Sequence, residues 1–239
     1  TTAFKAHPYK EPTVGHMSDL AAASATEALA FHKKYYVGQN MTIAVVGDVN
    51  PTEIKVLAEK YFGSIPAGEK SGRVVTEEPK QMAEKRISMS DPSQPVVVLC
   101  YHKPDIRHPD SAVYDAIQDI LAGGNSSRLH KKMVKEEKSA LFVGAFPGFP
   151  GTKYPNLFLF FGVPNQNHTN EELEKGIIAE LERLKNEPVS ADELAAVQTK
   201  ATVNLYRQLM SNGGVALQLA HYQVMTGDWR NLFTAIDKI

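Results

Sequence analysis

Residues 121–137 read LAGGNSSRLHKKMVKEE, the stretch whose residue types most invite chemistry. Two glycines free the backbone, a helix opening after them offers unpaired N–H groups, and Arg128 is placed to clamp an oxygen. These are the ingredients of an anion cradle. The spacing does not fit one. A phosphate loop needs Gly, four residues, then Gly-Lys-Ser/Thr, and a dinucleotide turn needs Gly-x-Gly-x-x-Gly. The stretch reads instead as one helix ending on glycine, a serine cap, and a second helix that turns Leu129 and Met133 inward.

The other reactive types are scattered. His7, His16, His32, His102, His108, His130, His168 and His221 include no pair spaced for one helix face, as a His-Glu-x-x-His site or its inversion requires. His102 and His108 flank Pro104 with no third ligand indicated. No Gly-x-Ser-x-Gly nucleophile turn is present. Cys100 lies mid-run among apolar residues and reads as a small buried hydrophobe. Asp48, in GDVN, closes a strand and reads as solvated or capping at a strand-to-helix turn. Phe158, Phe160 and Phe161 read as strand core. The residue types alone therefore assemble no self-sufficient active site, and the catalytic and metal-ligand sets for this chain are empty.

Composition narrows the class. The chain has 239 residues, 43% hydrophobic and 22% charged, enough to bury a real core. A formal net charge of −1 argues against nucleic acid as a partner, since phosphate binding wants a basic surplus. One cysteine excludes an internal disulfide and a Cys-rich zinc finger. No apolar run approaches a membrane span. No signal peptide opens the sequence, which does not begin with Met, the pattern of a processed chain or a fragment.

The elements that must position these residues follow from caps and periodicity. Residues 7–15 are an irregular Pro/Gly-rich lead-in. Ser24 and Glu27 form a capping box for a helix to about Tyr36, stopped by Gly38. MTIAVVGDV (41–49) has the β-branched, apolar composition of a strand buried on both faces. Asn50, Pro51 and Glu53 restart a helix that Gly63 ends. Residues 66–84 are polar and aperiodic, a linker or surface loop. KRISMS (85–90) reads as a short strand and PVVVLCYHK (95–103) as a buried one. A helix from Pro109 to about Ala122 leads into the opening stretch. SALFVGAF (139–146) and NLFLFFGVP (156–164) read as antiparallel neighbours. Helices capped at 167–172 and at Ser190/Glu193 follow, with a break at Gly213–Gly214 and a helical pattern running into the final AIDKI. Strands followed by runs of helices predict an α+β fold, a mainly antiparallel sheet covered on one face by helices.

Two stretches carry a resemblance. Residues 7–68 present Tyr35, Tyr36, Asn40, Gly47, Asp48, Phe62, Gly63, Ile65 and Pro66 in order. The turn after them presents Gly123, Gly124, Ser126, Ser127, Arg128 and Leu129. Together these resemble the pitrilysin/insulinase family of zinc metallopeptidases, which also holds mitochondrial processing peptidase and non-catalytic relatives.

The resemblance implies repeated α+β units. Residues 1–68 would be the helix–strand–helix tail of a first, zinc-bearing unit, 69–84 a linker, and 85–239 a second unit truncated at its C-terminal end. The family's His-x-x-Glu-His motif is absent, so the chain resembles a C-terminal, non-zinc lobe. Zinc is then expected in the parent protein and no cofactor in this chain. The implied partners are an N-terminal zinc lobe, a peptide or unfolded substrate held in a chamber, and a homologous partner subunit. By register, the family's substrate-facing Arg/Tyr pair falls on Val134 and Leu141, with Lys135 and Phe142 one place along. Arg128, Lys135 and Phe142 are the substrate- or partner-facing candidates. Export, as to a periplasm, is the expected location, with a cytoplasmic one the alternative. Two functional readings stay open under the resemblance: a lobe of a zinc endopeptidase, or a structural or assembly subunit of the same fold. The residues alone also leave open an unrelated α+β binding module.

Overall fold

A computed structural model describes residues 2–234, and the AIDKI pattern at 235–239 lies outside them. The chain divides into two compact units, Thr1–Ile87 with Ser211–Ala220, and Ser88–Met210 with His221–Ile239.

The first unit is built from short helices: α1 (Met17–Ala22), α2 (Ala25–Tyr35) and α3 (Pro51–Phe62). The box at the start of α2 forms as the sequence predicts. Ser24 Oγ accepts the Glu27 N–H at 3.2 Å, and Glu27 Oε2 accepts the Ser24 N–H at 2.9 Å. At α3, Pro51 takes the first helical position, and Asn50 Oδ1 accepts from Thr52 N at 2.9 Å. The expected closure of that box runs to the second helical residue rather than to Glu53.

MTIAVVGDV and KRISMS form no ladder. A strand is a paired object, and among the described residues none supplies a ladder to either run. Ile43 and Val45 consequently stand exposed. The polar stretch after α3 is pinned where it starts. Pro66 and Ala67 carbonyls accept from Gly38 and Gln39 N–H, at 2.9 and 3.0 Å. Asn40 bridges the same corner, donating to Tyr35 O at 3.0 Å and accepting from Ser71 N at 2.8 Å. Gly68, at φ +61°, packs against Val37, where a Cβ would lie 2.5 Å from that side chain. Further along, the Glu78 carboxylate gathers the N–H groups of Lys5, Ala6 and His7 at 2.6, 2.9 and 3.0 Å.

The second unit holds an antiparallel sheet of β1 (Val97–Lys103), β2 (Ala140–Phe149) and β3 (Asn156–Pro164), in the order β1-β3-β2. Leu99 pairs with Phe160, which pairs on its other side with Ala145. Period-two alternation sends Val143, Ala145, Phe158 and Phe160 to one face. There they pack with Leu121 of α4 (Ser111–Ala122), Leu129 and Met133, and Leu173 and Ile177 of α5 (Asn170–Asn186). Helices α6 (Ala191–Leu209) and α8 (Asn231–Thr234) belong to this unit, and α7 (Asn212–Thr226) is divided, its residues to Ala220 grouping with the first. The α+β expectation, with helices on one face of an antiparallel sheet, matches this arrangement.

Three local readings are corrected here. PVVVLCYHK is not buried on both faces. It is an edge strand with Val98 and Cys100 exposed, because an apolar run looks alike whether one face or two are covered. Cys100 is accordingly not a buried hydrophobe. The break near Gly213–Gly214 sits earlier, at Met210 and Ser211. Ser211 Oγ accepts the Gly214 N–H at 3.0 Å, so both glycines fall inside the first turn of α7.

Candidate functional site

The Gly-Gly-Asn-Ser-Ser-Arg turn is built as a junction. Gly123 closes α4, its N–H bonded to Asp119 O at 3.1 Å. Gly124, at φ +116°, reverses the chain. The Ser127 hydroxyl donates to Gly124 O at 2.7 Å. It braces the turn and does not cap the helix beyond, as the sequence had suggested. That helix begins at Arg128 and continues as a π-helical segment, His130–Glu136, closed by Glu137 N–H on Lys132 O at 2.8 Å. Leu129 and Met133 are buried, as their spacing predicts.

Arg128 is 9% exposed and forks onto Glu193, Nε and Nη2 reaching the two carboxylate oxygens at 2.7 and 2.8 Å. The fork is a bidentate charge-assisted pair. Glu193 has a second task. It closes the box at the start of α6, accepting the Ser190 N–H at 3.2 Å. The Arg128 guanidinium, with Ser190 assisting, holds the Glu193 carboxyl at about 2. Lys200, two turns along α6, bonds Asp119 and the Gly123 carbonyl, the latter at 2.6 Å. The turn is thus clipped to α6 at both ends. A neighbouring network adds Lys132 to the buried Glu180 at 3.1 Å, with Arg183 at 3.5 Å.

The three candidate residues therefore separate. Arg128 is committed to Glu193, and the chemistry it does here is that of a clamp. Lys135 is exposed on the π-helical segment. Phe142 lies on β2, 52% exposed, on the sheet face turned away from the helices.

That open face is what residue-by-residue reading missed. Phe161 lies between Phe142 and Phe146, with centroids at 5.5 and 5.4 Å and the second pair stacked. Phe146 is 56% exposed, and Val98 and Cys100 stand on the same face of β1. Phe158 and Phe160 face the core as expected, and Phe161 does not. The alternation along β3 held the signal, since adjacent residues of a strand point to opposite faces.

Among the described residues no three His, Cys, Asp or Glu are grouped as a metal ion requires. No described helix is long and apolar enough to cross a membrane.

Comparison with known proteins accords with this geometry. The chain is 30% identical over 227 residues to the zinc protease PqqE of Helicobacter pylori, covering 93% of this chain and 51% of that protein. It thus spans about half the length of this relative. A crystal structure of a protease from Helicobacter pylori superposes with a TM-score of 0.90 at 29% identity, over 99% of this chain and 57% of that one. The periplasmic protease PqqL of Escherichia coli shares the fold at 16% identity and a TM-score of 0.67, over 94% of this chain and 26% of that one. The family model described as the Peptidase M16 inactive domain matches residues 22–201. With three-quarters of its length inside that match, the chain belongs to the M16 zinc protease family and carries the family's inactive domain.

Proposed function

We propose that this chain serves as the C-terminal, non-zinc lobe of a zinc-dependent endopeptidase that acts on peptides or unfolded segments, walling the substrate chamber and supporting a zinc lobe elsewhere in the parent protein. The observation that carries the reading is the match to the inactive domain of a protease family in a chain whose described side chains group no metal site. No ligand set for zinc is grouped among the described residues; on this reading the metal lies on the partner lobe and this chain has no hydrolytic step.

The division of labour follows. Residues 1–68 form the tail of the zinc-bearing unit, 69–84 the connection, and 85–239 the second unit. Support comes from Ile43 and Val45, exposed in a β-branched run that finds no ladder among the described residues. Such a run is suited to completing a sheet begun by another segment. On the second unit, the exposed aromatic face around Phe142 offers an apolar wall, and Lys135 a cation for substrate carbonyls or carboxylates. Export to a periplasm suits the fold shared with PqqL.

The test is cleavage of an unfolded peptide by the full-length parent. Chelator-sensitive cleavage is expected, with Phe142→Ala raising KM at least about threefold while the parent's zinc content stays stoichiometric. A zinc-free parent that cleaves nothing would replace this reading with the assembly-subunit one.

A further inference from the structure

The second unit contains a built cleft of about 280 Å³ at the C-terminal end of β1. Its walls are Lys103 at the end of β1, Ser111 and Asp115 on the first turns of α4, Phe146 and Pro147 on β2, and Thr152 beyond it. The far wall is held shut. Ile106 N–H donates to Thr152 O at 3.0 Å. Gly148 lies so close to Thr152 that any Cβ there would strike its methyl group.

Lys103 is 6% exposed, unusual for a lysine. Its ammonium makes one long contact, 3.4 Å to Pro104 O, and sits 5.1 Å over the Tyr114 ring. An ammonium has three protons to place, so this leaves donor capacity facing the cleft. Asp115, and after it Asp105, attract Lys103 through space, yet Asp115 and Lys103 do not close into an ion pair among the described residues. Burial outweighs that attraction at both ends, pulling the Lys103 ammonium down and pushing the Asp115 carboxyl up. Each charge is thus under-compensated. The first turn of α4 is also without a side-chain cap. Asp110, at the start of α4, lies 3.7 Å from His108 Nδ1 and is solvent-exposed, and Asp105 is paired with Arg107 at 2.6 Å. A cleft with an ammonium, a carboxylate, hydroxyls and an apolar wall is complementary to a small zwitterion. Its volume lies just below the roughly 300–1,000 Å³ typical of drug-sized ligands, which limits the occupant to about one amino acid.

We propose that this cleft binds a free apolar α-amino acid, its carboxylate on Lys103 and Ser111, its ammonium on Asp115, and its side chain against Phe146 and Ile106. The site meets the open aromatic face at Phe146 and does not depend on the parent being a peptidase.

The experiment titrates the isotope-labelled protein with L-leucine, N-acetyl-L-leucine and L-leucinamide and follows amide shifts. Leucine should shift the signals of residues 103–115 and 146–152 saturably. Each analogue, lacking one charge, should bind at least about tenfold more weakly, which is about 1.4 kcal/mol. Lys103→Met and Asp115→Asn should each weaken leucine by a similar factor. Asp115→Asn should also abolish the preference for leucine over its N-acetyl form. Lys103 is buried and its variant is at risk of misfolding. The comparison of three ligands on the unaltered protein needs no variant. Equal binding of all three, or no saturable shift up to the solubility of leucine, would overturn the proposal.

Discussion

Arg128 has the most chemically versatile side chain of the Gly-Gly-Asn-Ser-Ser-Arg turn, and the fold spends it on Glu193. A sequence shows that an arginine follows a glycine-rich turn. It does not show which carboxylate, 65 positions on, will neutralise it. The pair is only partly buried, with the Glu193 side chain 35% exposed, so its worth is discounted for solvent screening. Removing the fork by Arg128→Ala should cost about 1.5–3 kcal/mol in urea unfolding, the range for hydrogen bonds to charged groups, toward its lower end because of that screening. Arg128→Lys should recover only part, because the ammonium cannot match the bidentate geometry. The pH dependence has a definite sign. Glu193 titrates near 4.5 when unfolded and about 2 when folded. Its stabilisation is therefore complete above about pH 5 and lost as pH falls from there toward 2. Glu193→Gln should show a deficit against the unaltered chain at pH 7 that shrinks across that window, measured by urea midpoints at each pH.

Among elements, most helix caps were legible, those at Ser127 and Glu53 excepted, and the strands were half legible. Ser24, Thr169 and Ser190 each start a helix with a glutamate three residues on, and all three boxes form. A capping box is local, so four residues suffice to specify it. MTIAVVGDV has strand composition but needs a partner across the ladder, which local sequence does not name. The π-helical segment at His130–Glu136 was not legible either. Within it Met133 is buried beside Leu129, and the Ser139 hydroxyl donates to Met133 O at 3.3 Å. Met133→Ala should destabilise by about 2–5 kcal/mol, the range for a fully buried truncation, read from chemical unfolding. Gly176→Ala makes a contrast on the facing helix α5. The new Cβ would lie 2.9 Å from Met133 Cε, the movable end of a flexible side chain. The helix-propensity gain of about 1 kcal/mol should offset that crowding, leaving stability within about 1 kcal/mol of the original.

At the scale of the molecule, apolar surface is unevenly covered. In the first unit Phe31, Val56 and Tyr61 on α2 and α3 are exposed, alongside Ile43 and Val45. Exposed apolar side chains in this number mark a surface meant for contact. The chain alone should therefore self-associate at micromolar concentration in sedimentation velocity. The double variant Phe31→Glu with Tyr61→Lys should return it to the monomer with unchanged helical circular dichroism. An unaltered chain that sediments as a monomer at all concentrations would contradict this expectation.

The sequence by itself determined the three capping boxes, the antiparallel β2–β3 pair and the family, because each rests on residues within a few turns or on ordered motifs. Lys103, Asp115 and Phe146 share a cleft, Arg128 finds Glu193, and Phe161 faces away from Phe158 and Phe160. Only the tertiary structure decided these, for one physical reason. A side chain's partner and its exposure depend on which distant segments pack beside it, and neither is a property of the residue or its neighbours in sequence.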